Sequence, residues 1–486
     1  MDSPSQLGSR ASITPRHVLL LACAGVVLAS LDLFIVNVAL PQIAVDLHEP
    51  DLGRLSWVLN AYAIVYAALL VLFGRLADRY RRDRGFLLGL AVFTLASAGC
   101  ALAGDLTTLV AFRVVQAAGA ALLTPTSLGL VLAAYPPHRR TGAVRAWTAS
   151  GGAAAALGPV LGGLLVEVNW RWVFLVNVPL GLLGILLARR RLPVVPGHAT
   201  AAPDVLGAAL ITLGTGALTL GLVQGRTWGW SAPGTAAALV GGAGLLVAFA
   251  VHCARSRNPL VPPALFTDGT YRGATVAMAA FSAAFAAMLL TVVLWLQDVR
   301  GWSPLAAGLA IAPGPLMVPL VSFGVGGRLV ARFGPAAVAA AGCAFLASAM
   351  AWWAVAAPTH SYPTGLLPGM LASGVGVGLA LPTLMAAAAA TLPPASFATG
   401  SAVVSMVRQT GMALGVALVV AVLGAPTTFD ASAAAFRRGW WTASALAALA
   451  AVTALVLMRS GGRQVAGGVP APQPSPVATP LTSREN

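Results

Sequence analysis

Long apolar runs recur along the whole chain and constrain its fold more than any other feature. The hydrocarbon core of a bilayer is about 30 Å thick, and a helix of about 20 apolar residues spans it. We identify fourteen such runs and number them in chain order. They cover residues 17–40, 55–76, 85–104, 106–135, 142–166, 171–188, 204–224, 235–253, 271–296, 304–329, 335–357, 365–391, 397–424 and 438–458.

The composition excludes a soluble fold and several kinds of chemistry. Of the 486 residues, 58% are hydrophobic and 9% are charged, whereas soluble domains carry about 25% charged residues. All 29 basic residues are arginine, so no P-loop lysine exists and ATP-driven pumping is disfavoured. The cysteines show no metal-ligand spacing. The sequence predicts an all-α integral membrane protein of about fourteen helices, without a metal or cofactor.

The arginines indicate how the chain is oriented in a membrane. The net charge of +15 comes from arginines in short segments that follow every second run, so we interpret it as topology and not as nucleic-acid binding. The positive-inside rule then predicts a multi-pass cell-membrane protein with both termini in the cytoplasm. Arg437 and Arg438, placed on the outer side, are the local exception. Tryptophans near predicted outer helix ends are interpreted as an interfacial belt: Trp170, Trp172, Trp228, Trp230, Trp302, Trp440 and Trp441.

Two repeated patterns indicate an internal duplication. GRLADR at residues 74–79 recurs as GRLVAR at 327–332, and a spaced glycine pair repeats at the same offset, as Gly158 with Gly162 and Gly411 with Gly415. Runs 1–6 therefore correspond to runs 9–14, with runs 7 and 8 inserted between them. The predicted domains are a cytoplasmic segment at 1–16, a six-helix bundle at 17–188, two inserted helices and linkers at 189–270, a second six-helix bundle at 271–458 and a disordered cytoplasmic tail at 459–486.

Asp32 is the one acidic residue well inside a run. A charged side chain at that depth costs about 2.5–3.5 kcal/mol on insertion scales, which makes function the default explanation. A structural carboxylate that bonds to nearby hydroxyls or to Asn37 is the alternative. Asp32 is therefore the candidate proton-coupling residue.

Arg113 and Gln116 lie one turn apart in run 4. A buried guanidinium needs a carboxylate or several carbonyls for its five donors, and Asp32 is the candidate partner. A motion that separates the two groups would change the proton affinity of the carboxylate. The alternative is a static clamp between helices 1 and 4. Asn37 and Gln116 are candidate polar residues of a cavity.

Three further patterns have a functional and a plainer interpretation. The loop after run 2 and its second copy predict a charged gating latch, or simply arginines that set orientation. Glycines and a proline in run 5 predict a bent, smooth packing face, which is common in membranes. Polar residues in run 13 are candidate cavity residues or contacts between helices. The residues are Gly74, Arg75, Asp78, Arg79, Arg82, Gly327, Arg328 and Arg332 for the latch, Gly158, Pro159, Gly162 and Gly163 for the packing face, and Arg408 and Gln409 for run 13.

Together these motifs resemble, in order, those of the fourteen-helix drug:proton antiporter family of the major facilitator superfamily. The matching segments are 31–41, 74–82, 113–116 with Gly119, 158–163 and 170–174. The resemblance implies a two-bundle fold, alternating access and export driven by proton influx. It also implies that Asp32 is the acid of helix 1, that Arg113 is the arginine linked to proton transfer, and that Gly158 with Pro159 belongs to the antiporter signature. Arg81 replaces a common glycine, and Ala331 stands where the first copy has Asp78, so the two copies of the latch differ.

The expected function is export of lipophilic small molecules, such as drugs and antibiotics, by a monomeric proton-coupled transporter. The alternative is a proton symporter that imports a small metabolite on the same fold. An enzyme is disfavoured because neither GxSxG nor HExxH is present. With Asp32 as the only deep acid, neutral or monovalent substrates are expected in preference to dications.

Overall fold

The computed structural model describes residues 14–195, 203–358, 361–392, 397–424 and 428–459, and every regular element within them is helical. The first half contains α1 (Pro15–Asp46), α2 (Trp57–Arg79), α3 (Arg82–Leu102), α4 (Leu106–Ala134), α5 (Pro137–Val168) and α6 (Asn177–Arg191). The inserted pair is α7 (Val205–Trp228) and α8 (Pro233–Arg255). Short helical turns at Leu52–Leu55, Trp172–Leu175 and Pro263–Phe266 lie between these spans.

The second half is built in the same way. It contains α9 (Gly269–Leu294), which continues as a π-helical turn at Trp295–Val299, then α11 (Pro335–Ala356), α12 (Leu367–Ala390), α13 (Phe397–Leu423) and α14 (Phe429–Arg459). Between α9 and α11, the span α10 consists of Pro304–Ile311, Pro313–Val321, a π-helical segment at Ser322–Gly326 and Gly327–Phe333. A turn at Tyr362–Gly365 precedes α12.

Thirteen of these spans in the described chain are long and apolar enough to cross a membrane, and α5 is the fourteenth. The α5 span is bent by 43° between Gly142–Ala154 and Leu157–Val168. Pro159 cannot donate to the carbonyl four residues earlier, so the bend lies where the helical hydrogen bonding is interrupted. The predicted all-α membrane architecture of about fourteen helices is confirmed.

Acidic and proline residues define several helix starts. Asp105, Asp204 and Asp268 each accept a hydrogen bond from the backbone N–H three residues later, at 2.8–2.9 Å. Such caps satisfy N–H groups that have no partner inside the helix. The spans α5, α8, α10 and α11 begin with a proline in the first turn, where the missing N–H has no cost.

Helix packing repeats between the halves. In the first half α3 packs against α4, and α1 against α5; in the second half α11 packs against α12, and α9 against α13. The halves meet along two seams, one between α2 and α13 and one between α5 and α10. The inserted α7 packs against α8 and lies along the first seam, where it contacts both α2 and α13.

Two sequence expectations about the outer helix ends were wrong. The last span starts at Phe429, nine residues before the predicted start at 438, so Arg437 and Arg438 lie in α14 with exposed side chains instead of in a loop. Long arginine side chains reach a polar interface from within a helix end, which is why the helix tolerates them.

Trp440 and Trp170 are 0% and 2% exposed, so they are core residues and not part of an interfacial belt. The segments 1–13 and 460–486 lie outside the described residues.

Candidate functional site

Asp32 lies in the middle of α1 and is 1% exposed. It forms an ion pair with Arg113 of α4, with 2.5 Å between Asp32 Oδ2 and Arg113 Nη1 and both side chains fully buried. The predicted pairing between α1 and α4 is therefore confirmed. At this depth two opposite charges need close contact and further hydrogen bonds to offset their desolvation.

Two more side chains donate hydrogen bonds to the carboxylate, and a serine accepts from one of them. Gln116 Nε2 donates to Asp32 Oδ1 at 2.9 Å and to Ser97 Oγ at 2.8 Å. Asn177 Nδ2 of α6 donates to the same Asp32 oxygen at 3.1 Å. The carboxylate thus accepts from an arginine and two amides, an arrangement that ties α1 to α3, α4 and α6.

The guanidinium of Arg113 is held from a second side. Its Nε donates to the Val58 carbonyl of α2 at 3.0 Å, and Nη1 also donates to Gln116 Oε1 at 2.6 Å. The ring of Tyr62 lies 4.1 Å from the guanidinium carbon, a cation–π contact that compensates part of the lost hydration. Arg113 therefore keeps several partners besides Asp32.

Sequence reasoning missed Asn177 and Ser97 in this cluster. Both are uncharged residues within otherwise apolar runs, and neither carries the large insertion penalty that identified Asp32 and Arg113. Asn177 offered a weak signal, since an amide within a span usually bonds to another helix. Tyr62, which packs against Arg113, is likewise an uncharged residue of a span.

The predicted cavity residues lie at different places. Asn37 donates to the carbonyl of Leu33 in its own helix at 3.0 Å and lines a narrow space between the halves. Residues of both halves line that space, among them Leu33, Asn37, Asn60, Met412, Ala413 and Val416. Gln409 is buried, and its Oε1 has no hydrogen-bond partner within the described residues. Arg408 is half-buried.

The segments predicted as a gating loop are helical instead, since residues 74–79 end α2 and residues 327–332 lie in the last part of α10, and the first of them contacts the inserted pair. Arg75 donates to the carbonyls of Asn258 at 3.3 Å and Pro259 at 2.5 Å, in the segment after α8. Asp204, which caps α7, holds this segment through the Leu260 N–H at 2.7 Å and contacts His252 at 2.9 Å. The first copy of the loop is therefore anchored to the inserted helices.

The electrostatics of Asp204 keep this anchor intact at neutral pH. Burial alone would raise the pKa of Asp204, but hydrogen bonds from the Gly207 N–H, His252 and the Leu260 N–H lower it below its ordinary value. A carboxyl with a lowered pKa stabilises the folded arrangement above its unfolded-state pKa, and that stabilisation is lost as the pH falls through the lower value. The link therefore weakens only in acid.

The other latch residues are placed as follows. Arg79 is exposed, and the stem of Arg82 lies over Gly129 of α4. In the second copy, Arg328 and Arg332 are exposed; Arg328 donates to the Gly324 carbonyl at 3.2 Å, and Gly327 has open space around it. The side chain of Asp78 lies outside the described residues. The functional role of the latch stays a prediction.

The glycines of α5 permit close packing on two helices. A Cβ on Gly158 would lie 2.5 Å from Phe34 Cβ of α1, and one on Gly162 would lie 3.1 Å from the Ile35 carbonyl oxygen. A Cβ on Gly163 would lie 2.6 Å from the Pro304 carbonyl oxygen of α10. The predicted smooth face therefore contacts its own bundle and the opposite one.

These contacts between the halves lie toward the end of the bundle remote from the termini. Gln297 Nε2 of the π-helical turn after α9 donates to the Val38 carbonyl at 3.0 Å, and Glu167 accepts from the Leu305 N–H at 3.1 Å. Toward the other end, α5 exposes residues 146, 148, 149, 152 and 153. The halves are thus held together at the remote end.

A family model described as Major Facilitator Superfamily matches residues 22–416. The chain belongs to the major facilitator superfamily. It is therefore a multi-pass membrane protein of a transporter family, and the predicted two-bundle fold and family resemblance are confirmed.

Known members of this superfamily include relatives named for resistance and export. The tetracenomycin C resistance and export protein of Streptomyces glaucescens is 32% identical over 84% of this chain and 75% of that protein. The methylenomycin A resistance protein of Streptomyces coelicolor is 33% identical over 84% of this chain and 86% of that protein. Among solved structures, a peptide transporter POT in complex with sulfate shares the fold with a TM-score of 0.69, at 18% identity, over 95% of this chain and 99% of that one.

Proposed function

We propose that this facilitator is a proton-coupled exporter of lipophilic small molecules that works by alternating access. The buried Asp32–Arg113 pair carries the proposal, because a carboxylate sealed among helices of one bundle can link protonation to helix arrangement. The relatives named for drug resistance and export support the outward direction. In this proposal the energy comes from the proton gradient, the transporter acts as a monomer without enzymatic activity, and both termini face the cytoplasm.

Protonation of Asp32 would change the force between α1 and α4. While ionised, Asp32 accepts from Arg113, Gln116 and Asn177. A proton on the carboxyl group removes the counter-charge, and a buried charge that has lost its partner costs about 3–5 kcal/mol. The guanidinium would then shift toward the Val58 carbonyl and the Tyr62 ring, and the first bundle would rearrange.

The seam between α5 and α10 would carry this rearrangement to the second bundle. Gly163 and Gly308 bring the backbones of the two helices into contact. Such close contacts are made or broken as units, because packed interfaces are not continuously deformable. Separation of the seam at the remote end would convert the observed conformation into its alternate.

Everted membrane vesicles from a host without its own efflux pumps test the direction and the coupling. A panel of dyes and antibiotics first identifies compounds whose toxicity the chain reduces. An acidic vesicle lumen then drives the exporter. Added substrate is expected to accumulate in the lumen while protons leave it, and an uncoupler is expected to abolish accumulation.

Substrate that leaves the lumen together with protons would establish the symporter instead. Arg438→Gln, which removes an exposed charge from α14, serves as the control for expression and insertion.

A further inference from the structure

Arg408 is a half-buried arginine of α13, a helix of the seam between the two halves. Met412 and Val416, one and two turns further along α13, line the narrow space described above. Residues at such spacing share one side of a helix. Across this seam, Tyr66 of α2 is buried, and its hydroxyl pairs with Thr124 at 3.0 Å. Arg408 therefore borders the space between the two bundles.

No carboxylate in the described residues pairs with this arginine. Asp32, the one acid deep in a span, is 1% exposed and held by Arg113. The remaining acids with described side chains lie near helix ends: Asp46, Glu49, Asp51, Asp83, Asp105, Glu167, Asp204, Asp268, Asp298 and Asp430. Among the described residues, the interior of the protein therefore contains the Asp32–Arg113 pair, whose charges cancel, and the additional positive charge of Arg408.

An arginine in this position favours a negatively charged ligand. A half-buried guanidinium is poorly hydrated, and its fork of donors matches a carboxylate or another oxyanion with two parallel hydrogen bonds. A cationic ligand in the same space would be repelled by Arg408, and it could not contact the buried carboxylate of Asp32. The aromatic ring of Tyr66 adds an apolar surface for the rest of the ligand.

We propose that Arg408 is the anion-recognising residue of the substrate cavity, so that the exported compounds are lipophilic molecules that are neutral or carry a carboxylate-like group. This inference rests on the proposed export function and narrows its substrate class. A direct contact between the substrate and Asp32 is not part of this proposal, because that carboxylate is buried and held by Arg113.

Tyr66 belongs to a stack of two aromatic rings that reaches Arg113. Tyr66 lies parallel to Tyr62, with 5.9 Å between ring centroids and an angle of 8°. Tyr62 in turn packs against Arg113 at 4.1 Å. The two tyrosine rings thus extend along α2 from the partner of Asp32 toward the seam with α13. Export of an anion in exchange for a proton also moves two positive charges inward, so an interior-negative potential drives it.

A matched set of fluorescent probes tests the proposal: pyrenebutyrate, its methyl ester and pyrenebutylamine. Their binding to the purified full-length transporter is measured in detergent at neutral pH. The wild type is expected to bind the carboxylate about tenfold more tightly than the amine, the scale of one charge-assisted pair. Arg408→Gln should lose about tenfold in carboxylate affinity, with the ester changed less than about twofold. Arg408→Lys should keep part of the preference.

Arg438→Gln is the matched control, since it removes one arginine from the same half at an exposed position. If Arg408→Gln does not fold, the order of the three probe affinities in the wild type and in Arg408→Lys shows whether Arg408 recognises the carboxylate. A carboxylate that binds no better than the amine, or a preference that persists in Arg408→Gln, would overturn the proposal. Proton-driven efflux of the methyl ester is measured separately, so a failure of export itself is distinguishable from a failure of anion recognition.

Discussion

Two ion pairs of the same chemistry lie at very different depths in this transporter. Asp32–Arg113 is fully buried, whereas Asp46–Arg171, also at 2.5 Å, has side chains 46% and 32% exposed. Solvent screens the exposed pair, which limits it to about 0–1 kcal/mol. The buried pair is different, because loss of either partner leaves a desolvated charge behind.

Single substitutions of the buried pair should therefore be costly and non-additive. Asp32→Asn or Arg113→Gln alone should lower the free energy of unfolding by about 3–5 kcal/mol. The double variant should be more stable than the sum of the two predicts, because it leaves no lone charge. Thermal unfolding of the purified variants measures this. Asp46→Asn and Arg171→Gln are the matched controls, and an equal response of both pairs would contradict the account.

Charge decided which site residues could be predicted from the sequence. Asp32 and Arg113 stand out because charged groups are expensive inside apolar runs, and Gln116 because it lies one turn from Arg113. Ser97 and the carbonyl of Val58 carry no such signal, and only the packing of α2, α3 and α4 brings them to the cluster. The contact of Arg75 with the Pro259 carbonyl was equally unpredictable, since a backbone acceptor has no sequence signature.

At the level of helices, the seam between α5 and α10 depends on missing side chains. A Cβ on Gly308 would lie 2.4 Å from the Pro159 carbonyl oxygen, and one on Gly163 would lie 2.9 Å from Leu305 Cα. Both obstacles are backbone atoms, which cannot rotate away. By contrast, Gly152 in the same α5 has open space around it.

Gly308→Ala should therefore weaken the closed end of the seam. Overpacking of a well-packed contact costs about 1–3 kcal/mol, enough to shift a two-state equilibrium by about fivefold or more. Spin labels at Val168 and Ser303, which flank the seam, should report a larger population of long distances by pulsed electron resonance. Gly152→Ala should leave the distribution unchanged. A wild-type distribution in Gly308→Ala would show that the seam is not close-packed.

The predicted runs located thirteen of the spans within a few residues, because membrane thickness sets their length. The start of the last span was predicted nine residues too late, because Arg437 and Arg438 suggested a loop. Exposed arginines near a helix end give the same sequence pattern as arginines in a loop. The position of α7 along the seam of α2 and α13 had no sequence signal. An inserted pair can cover any outer face, and only the packing selects one.

At the level of the whole molecule, the two halves pack their helices in the same way but contain different charged groups. Gly158 and Gly162 pack on α1, and their predicted counterparts Gly411 and Gly415 pack against the backbone of α9 at Ala279 and Ala283. The sequence of α9 contains no acid and that of α12 contains no arginine, so the buried ion pair has no second copy there. The proposed proton site thus belongs to the first bundle and Arg408 to the second. Coupling in this account requires both bundles.

Substrate-induced proton movement in vesicles that contain Asp32→Asn tests the central claim most directly. The substrate is a compound selected by the resistance panel, and a pH-sensitive dye follows the acidic lumen. The account predicts that wild type and Asp46→Asn release protons on substrate addition, whereas Asp32→Asn binds the substrate but moves no protons. Normal proton exchange in Asp32→Asn, at matched expression, would contradict the assignment of this carboxylate as the coupling site.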